Sequence, residues 1–294
     1  MAQEYIFSKG TCKKKEIYSL IIDKLKEKGW KDISSKPETD YVVLHSKGVT
    51  GDRDLILNLR DRDHNYPSEA NSVVTTDYST MSCRLQTWYT PGGSGESGTF
   101  AKPARAWQPL YIYGAGQQIS RETGLDYYVY ADAGKIILSL EYPPSSSISG
   151  PIVFYLGEPD TRFLTESQSR GVLYASSAHR SGVTITDCPD DMGSKDEAYF
   201  LLTYSLLPAT DPNLAKKYMV SPIYYGSNEE GYRGKLDGIK TVRYIGSHPA
   251  NLVHGDTLVT EHAKYHCVVP QGLYNMYFPG GVMMLRIELS HEIL

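Results

Sequence analysis

Lys135 to Tyr142 reads KIILSLEY, and soon after it Ile152 to Leu156 reads IVFYL. Both runs are short, rich in Ile, Leu, Val and aromatic residues, and bounded by turn formers, which is the pattern of β-strands. Between them Pro143-Pro144-Ser145-Ser146-Ser147 marks a connection or a domain seam. Similar strand-like segments recur on either side: Asp126–Tyr130, Gly171–Ser176, Tyr199–Leu206, Ile239–Ile245, Leu258–Thr260, Tyr265–Val269 and Val282–Leu289. Many short strands punctuated by Gly, Pro, Asn and Asp predict a sandwich-like or barrel-like β architecture. No fixed-period repeat suggests a solenoid or propeller.

Working back toward the N-terminus, the character changes. From Lys13 to Lys28 the apolar Ile17, Leu20, Ile21 and Leu25 form one stripe of an amphipathic helix, with Thr11 placed to cap its start and Gly29 to end it. Lys13, Lys14, Lys15, Lys24 and Lys26 lie on or near its polar side, a solvated face in the first instance. Tyr41–His45 (YVVLH) and Leu55–Leu59 (LILNL) follow as strands, so the opening piece reads helix–strand–strand. Three regions are expected: an N-terminal α/β element over residues 1–64, a β-rich region over 65–147, and a second β-rich region over 148–294. The first β-rich region carries a Gly/Ser loop at Pro91–Gly98. The fold class is mainly β with a small N-terminal α/β element and one or two β-sandwich-like bodies.

Composition narrows the function classes. A chain of 294 residues with 40% hydrophobic and 22% charged residues suits a folded globular protein. The net charge of −4 sets up no large positive field, so no direct nucleic-acid partner is expected. No stretch approaches a membrane span, and membrane insertion is not expected. The N-terminus has lysines without a following apolar run, unlike a secretory signal. Cys12, Cys83, Cys188 and Cys267 are far apart without CxxC spacing and read as isolated thiols. Twenty-four tyrosines against 6 phenylalanines favour half-wet surfaces and subunit contacts, though Tyr also has good strand propensity.

Several stretches begin like functional motifs and break off. Asp61-Arg62-Asp63-His64-Asn65 opens like a calcium loop, but Tyr66 stands where Gly must turn the chain and Ser72 where a bidentate Glu belongs. His262 and His266 have helical metal spacing, yet they lead into a β-branched run, and Ala263 replaces the glutamate of a zinc-protease pattern. Gly114-Ala115-Gly116 lacks the third glycine of a dinucleotide fingerprint, with Ile119 at that position, and reads as a turn. Asp187, Asp190, Asp191, Asp196 and Glu197 around Gly193 read as a solvated acidic loop. These failures leave no catalytic, cofactor-binding or metal-ligating residue to nominate, and no cofactor is required.

Two ordered sets of segments carry a resemblance. The first runs from Gly51–Leu59 (GDRDLILNL) through Trp107-Gln108-Pro109-Leu110-Tyr111 and Tyr127–Leu140 to Tyr155-Leu156-Gly157. The second is Gly231–Thr241 (GYRGKLDGIKT), Asp256-Thr257-Leu258 and a terminal strand, with Lys235 in place of the more usual acid. Together they resemble a group of bacteriophage virion structural proteins. The resemblance implies a tail, neck or baseplate component, assembled in the host cytoplasm into a particle. It would form a ring or collar with copies of itself and with adjacent tail, neck or baseplate proteins.

Within that expectation, Gly231, Gly234 and Gly238 suggest tight hairpin turns, and Tyr218, Tyr224, Tyr225, Tyr232 and Tyr244 around them are interface candidates. The same rings could equally be core. The alternative role is a carbohydrate- or receptor-binding module of the same particle, with Trp88, Tyr89 and Trp107 as glycan-stacking candidates.

Overall fold

A computed structural model describes residues 5–35, 41–61, 63–64, 73–74, 80–86, 89–90, 99–100, 108–110, 113–114, 117–141, 151–160, 171–176, 181–185, 199–202, 220–227, 231–243, 255–260, 263–268 and 281–289. The chain starts with strand β1 (Tyr5–Lys13), passes through a 3-10 turn (Lys14–Glu16) into helix α1 (Ile17–Glu27), and then lays down β2 (Lys31–Asp32), β3 (Tyr41–Ser46) and β4 (Leu55–Arg60). Short strands follow: β5 (Asp63–His64), β6 (Val73–Val74), β7 (Ser82–Gln86), β8 (Tyr89–Thr90), β9 (Thr99–Phe100), β10 (Gln108–Pro109), β11 (Tyr113–Gly114) and β12 (Gln117–Gln118). The next stretch holds β13 (Gly124–Asp132), β14 (Lys135–Glu141), β15 (Ile152–Gly157), β16 (Val172–Ser176) and β17 (Ser181–Ile185). Last come β18 (Tyr199–Leu202), β19 (Val220–Ser227), β20 (Gly231–Arg243), β21 (Thr257–Val259), β22 (Ala263–Val268) and β23 (Gly281–Leu289).

Three antiparallel sheets dominate. The central one has the order β1-β13-β14-β15-β16-β17; a second runs β10-β7-β4-β3-β2; a third runs β18-β19-β20-β23-β22-β21. The central sheet is covered on both sides. Ile136, Leu138 and Leu140 of β14 and Ile152, Phe154 and Leu156 of β15 pack with α1 and the second sheet. Ile137 of β14 and Val153 and Tyr155 of β15 point the other way, into a core shared with Ile223, Tyr225, Leu236, Ile239 and Leu285 of the third sheet. A strand buried on both faces cannot alternate apolar with polar, which is why IILSL and IVFYL are nearly continuous apolar runs. Each fully buried Leu, Ile or Phe contributes about 2 kcal/mol by leaving water. The protein is therefore mainly β and sandwich-like, with a short helix near its start.

That helix forms where its apolar stripe predicts, but its entrance differs. Thr11 is no cap: it sits inside β1, which pairs residue for residue with β13 from Tyr5–Asp132 to Lys13–Gly124. Cross-strand pairing holds the backbone extended through Lys13, and the helix begins after the 3-10 turn, whose Glu16 carboxylate accepts the Lys13 N–H at 2.8 Å. Ile17, Ile21 and Leu25 are buried against the central sheet. Gly29, with φ +90°, ends the helix as expected, and Trp30 N–H returns to the Leu25 carbonyl at 3.1 Å. The opening order is thus strand–helix–strand, not helix–strand–strand.

The sheets also run across the expected regions. β1, from 1–64, pairs with β13, from 65–147; β14 pairs with β15, from 148–294. The glycines of GYRGKLDG do not make a hairpin either. They lie along one long strand, β20, whose register against β19 shifts between the Pro222–Lys240 and Tyr224–Lys235 pairs. Gly238, at φ +79°, lies among the extra β20 residues, a conformation that a bulged strand requires and a β-carbon resists.

Candidate functional site

The richest polar constellation lies where the central and third sheets meet. Lys135 begins β14 on the face toward the third sheet, and its ammonium contacts the Asp132 carboxylate at 2.8 Å and the Asp237 carboxylate of β20 at 3.0 Å. Arg286 of β23 grips both Asp237 oxygens, each at 3.0 Å, in a two-pronged pair. Its second prong also donates to the Tyr130 hydroxyl at 2.9 Å, and the guanidinium carbon lies 4.6 Å from the Tyr130 ring centroid. Tyr130 in turn donates to Asp132 at 3.1 Å. The other Asp132 oxygen caps the hairpin between β13 and β14, accepting the Gly134 and Lys135 N–H groups at 2.8 and 3.0 Å.

The electrostatics of this chain of groups are self-consistent. Burial alone would raise the Asp237 carboxyl, but Lys135 and Arg286 outweigh it and hold it well below the usual carboxylate range. Burial likewise works against the charged forms of Lys135 and Arg286, yet Asp132 and Asp237 for the lysine, and Asp237 and Tyr130 for the arginine, keep both ammonium and guanidinium protonated well above their ordinary values. Each charge in the cluster thus favours the ionised form of its neighbour, and the groups form a network of ion pairs.

A second cluster lies on the same face of β14. Glu141 Oε1 accepts the Ser139 hydroxyl at 2.9 Å and contacts His266 Nε2 of β22 at 2.9 Å, while the Tyr128 ring stacks on the imidazole with centroids 3.7 Å apart. An acyl-transfer relay needs the imidazole between hydroxyl and acid. In this protein serine and histidine share one carboxylate oxygen, so the cluster satisfies buried polar groups and ties the two sheets together.

A third tie joins the central sheet to the loop between β3 and β4. Glu158 accepts Arg53 Nε at 2.9 Å and the Val49 N–H at 3.2 Å, and its own N–H donates to the Gly134 carbonyl at 2.8 Å. Ser46 donates to the Ala133 carbonyl, and the Trp30 indole reaches the Asp132 carbonyl at 3.4 Å. The Asp132–Lys135 hairpin is therefore the junction at which all three sheets and the segment after α1 are fastened.

The residues singled out from sequence have various fates. Tyr225 is fully buried in the core between the sheets, and Tyr224 is half-buried. Gly234 faces Tyr225 across the β19–β20 pair, and a β-carbon there would lie 2.8 Å from the tyrosine ring, so this glycine makes room for an aromatic instead of turning the chain. Tyr232 lies in β20, and Tyr218 and Tyr244 lie outside the described residues. Tyr89 is in β8, and Trp88 and Trp107 lie outside the described residues, as do Pro91–Gly98, Pro143–Ser147 and the acidic stretch Asp187–Glu197.

The broken motifs resolve in part. Asp61 pairs with Arg121 at 2.7 Å. His266 lies in a strand, as its β-branched neighbours predict, and His262 lies outside the described residues. Gly114 pairs with Gln117 across the β11–β12 hairpin. Among the described residues no group of three or more His, Cys, Asp or Glu side chains is placed to hold a metal ion. Cys83 and Cys267 are buried and Cys12 is half-buried. Of the helix-region lysines, Lys14 turns inward and donates to the Ile119 carbonyl at 2.9 Å, while Lys13 and Lys15 pair with Glu122 at 2.9 and 2.6 Å and Lys26 with Asp32 at 2.9 Å. That surface is ion-paired, not a uniform basic patch.

Sequence reasoning missed Asp132, Lys135, Asp237, Arg286 and Glu158. The trace they leave is slight: a charge at the edge of an apolar run, as in Lys135 before IILSL or Asp237 after Leu236. No protein-family model matches the chain, and no curated protein matches it significantly.

Proposed function

We propose that this chain is a structural assembly subunit of a phage or phage-tail-like particle, forming a ring or collar in the neck or tail or at the baseplate. The resemblance of its GDRDLILNL and GYRGKLDGIKT segments to virion structural proteins supports the reading, and the mainly β fold agrees with it. One structural observation carries most weight: the sheets are locked to one another by buried ion pairs at Lys135, Asp237 and Arg286 and by the Glu158–Arg53 pair. Ion pairs of fixed geometry between layers add specificity to the packing of the sheets, which suits a subunit that must keep one shape within an assembly. Its partners are copies of itself and the adjacent tail, neck or baseplate proteins, meeting through closed symmetric contacts.

The test is direct. Particles purified from a lysate of the producing cells are analysed by mass spectrometry and by labelling with an antibody to this chain under the electron microscope. The expected result is a stoichiometric component located at one level of the neck, tail or baseplate. Its absence from purified particles would overturn the proposal.

A further inference from the structure

The central and third sheets match strand for strand across their interface. Lys135 of β14 meets Asp237 of β20, Tyr130 of β13 meets Arg286 of β23, and Tyr128 of β13 stacks on His266 of β22. Carried one strand further, that order leaves β1 and β21 together at one side of the sandwich, each the last strand of its sheet. At the opposite side β17 lies beside β18. Among the described residues no strand pairs with the outer edge of β1 or of β21. Proteins blunt such edges with short strands, bulges, prolines and lysines. β1 is long, pairs with β13 without a bulge and contains no proline. Its exposed Lys9 makes no ion pair among the described residues, whereas Lys13 and Lys15 are held by Glu122. β21 carries the complement: Val259 is 58% exposed, Leu258 is half-buried, and Asp256 precedes the strand.

We propose that these two edges form the contact between two copies of this chain, β1 of each adding to β21 of the other about a two-fold axis parallel to the strands. Strand directions fit. Lys135 at the start of β14 meets Asp237, and Glu141 at its end meets His266, which stands in register with Leu285 and so with Ile239, beyond Asp237 on β20. β20 therefore runs with β14, and by antiparallel alternation β1 runs with β14 and β21 against it. The two-fold axis keeps each direction, so β1 and the other copy's β21 meet antiparallel. The central sheet of each copy then runs on into the third sheet of the other, and both open edges close at once. A register with Lys9 opposite Asp256 sets Phe7 opposite Leu258 and Ile6 opposite Val259, which covers the exposed valine and gives the lysine a carboxylate. A carboxylate accepts several donors, so contacts of Asp256 within its own chain leave room for the lysine. Pairing β1 with β1 is disfavoured, because the register that uses all nine residues sets Lys9 against Lys9. The inference rests on the self-association in the proposed function and names the surface that performs it.

Sedimentation equilibrium of the purified full chain tests this apart from any particle, so a failure here counts against the contact and not against incorporation into particles. The expected result is a concentration-dependent dimer. Val259→Asp and Lys9→Glu should each raise the dimer Kd by about tenfold or more, with thermal unfolding of both variants near native. Combining Lys9→Glu with Asp256→Lys exchanges the charges across the contact and should return Kd toward the native value. A chain that stays monomeric up to about 0.5 mM, a concentration at which even a weak specific pair forms, overturns the proposal. So does a dimer indifferent to Val259→Asp and Lys9→Glu, or one that the charge exchange fails to restore.

Discussion

Lys135 of the central sheet reaches Asp237 of the third sheet across 3.0 Å, although 101 residues and several strands lie between them in the chain. The pair is consequential because Lys135 and the neighbouring Arg286 are both withdrawn from water. Asp237→Ala would leave a buried ammonium and a buried guanidinium without their shared carboxylate. Asp237 keeps 43% of its side-chain surface exposed, so some water would reach the gap and the cost falls at the low end for a broken buried pair, about 3 kcal/mol. Replacing Asp237 and Arg286 together, by Asp237→Leu and Arg286→Met, should cost less than the single change, because Lys135 keeps Asp132 and no guanidinium is then stranded. Urea unfolding of both proteins checks the order.

The same aspartate gives the acid limb of stability a definite sign. Its folded-state value lies below the ordinary carboxylate value of about 3.9, so its contribution is complete above that value and is lost as pH falls through the folded one. Unfolding free energy should therefore decline below about pH 4 through this group, and Asp237→Asn should flatten that part of the profile. A native-like acid limb in Asp237→Asn would show that other carboxylates govern it.

Much of the fold was legible because burial on both faces writes itself into the chain as unbroken apolar runs, and β14 and β15 are the clearest examples. β1 was not legible. Its YIFSKGTCK mixes lysines and a glycine into a strand, and the reason for Gly10 lies in another element: a β-carbon there would stand 2.9 Å from the Tyr127 hydroxyl oxygen. Gly234 is similar, since its explanation is the Tyr225 ring and not local turn chemistry. The ion-pair cluster escaped for the same reason. A lysine at a strand edge looks alike whether it meets water or an aspartate of another sheet, and nothing local distinguishes the two.

Glycines also offer a calibrated test. Gly157 has φ +127°, and a β-carbon there would lie 2.2 Å from the Gly134 carbonyl oxygen and 2.7 Å from Lys135 Cα, both backbone atoms of the junction hairpin. Gly255 has φ +91° with nothing within 4 Å. Gly255→Ala should cost about 1 kcal/mol, the backbone term alone. Gly157→Ala adds a collision that no side-chain rotation relieves and should cost about 3 kcal/mol or more. Equal costs, measured by chemical denaturation, would mean that the hairpin yields.

Glu158 makes a last, local prediction. Its carboxylate is the group that holds the β3–β4 loop, through Arg53 and the Val49 N–H, against the end of β15. Gly48 and Gly134 both press on it: a β-carbon at either would come within 2.7 Å of Glu158 Oε2, so the carboxylate fills the space that two missing side chains leave. Glu158→Ala removes both hydrogen bonds and opens that space, while Glu158→Gln keeps the volume and can still accept from Val49, but it loses the charge opposite Arg53. Amide hydrogen exchange should rise across Gly48–Arg53 in the alanine variant, by about tenfold for a loss of roughly 1.4 kcal/mol in local closure, and by less in the glutamine variant. Exchange in β14 should stay near native in both, because Lys135 and Asp132 fasten that strand from its other face. Unchanged loop exchange in Glu158→Ala would show that the Ser46 contact to Ala133 suffices to hold the loop without the carboxylate.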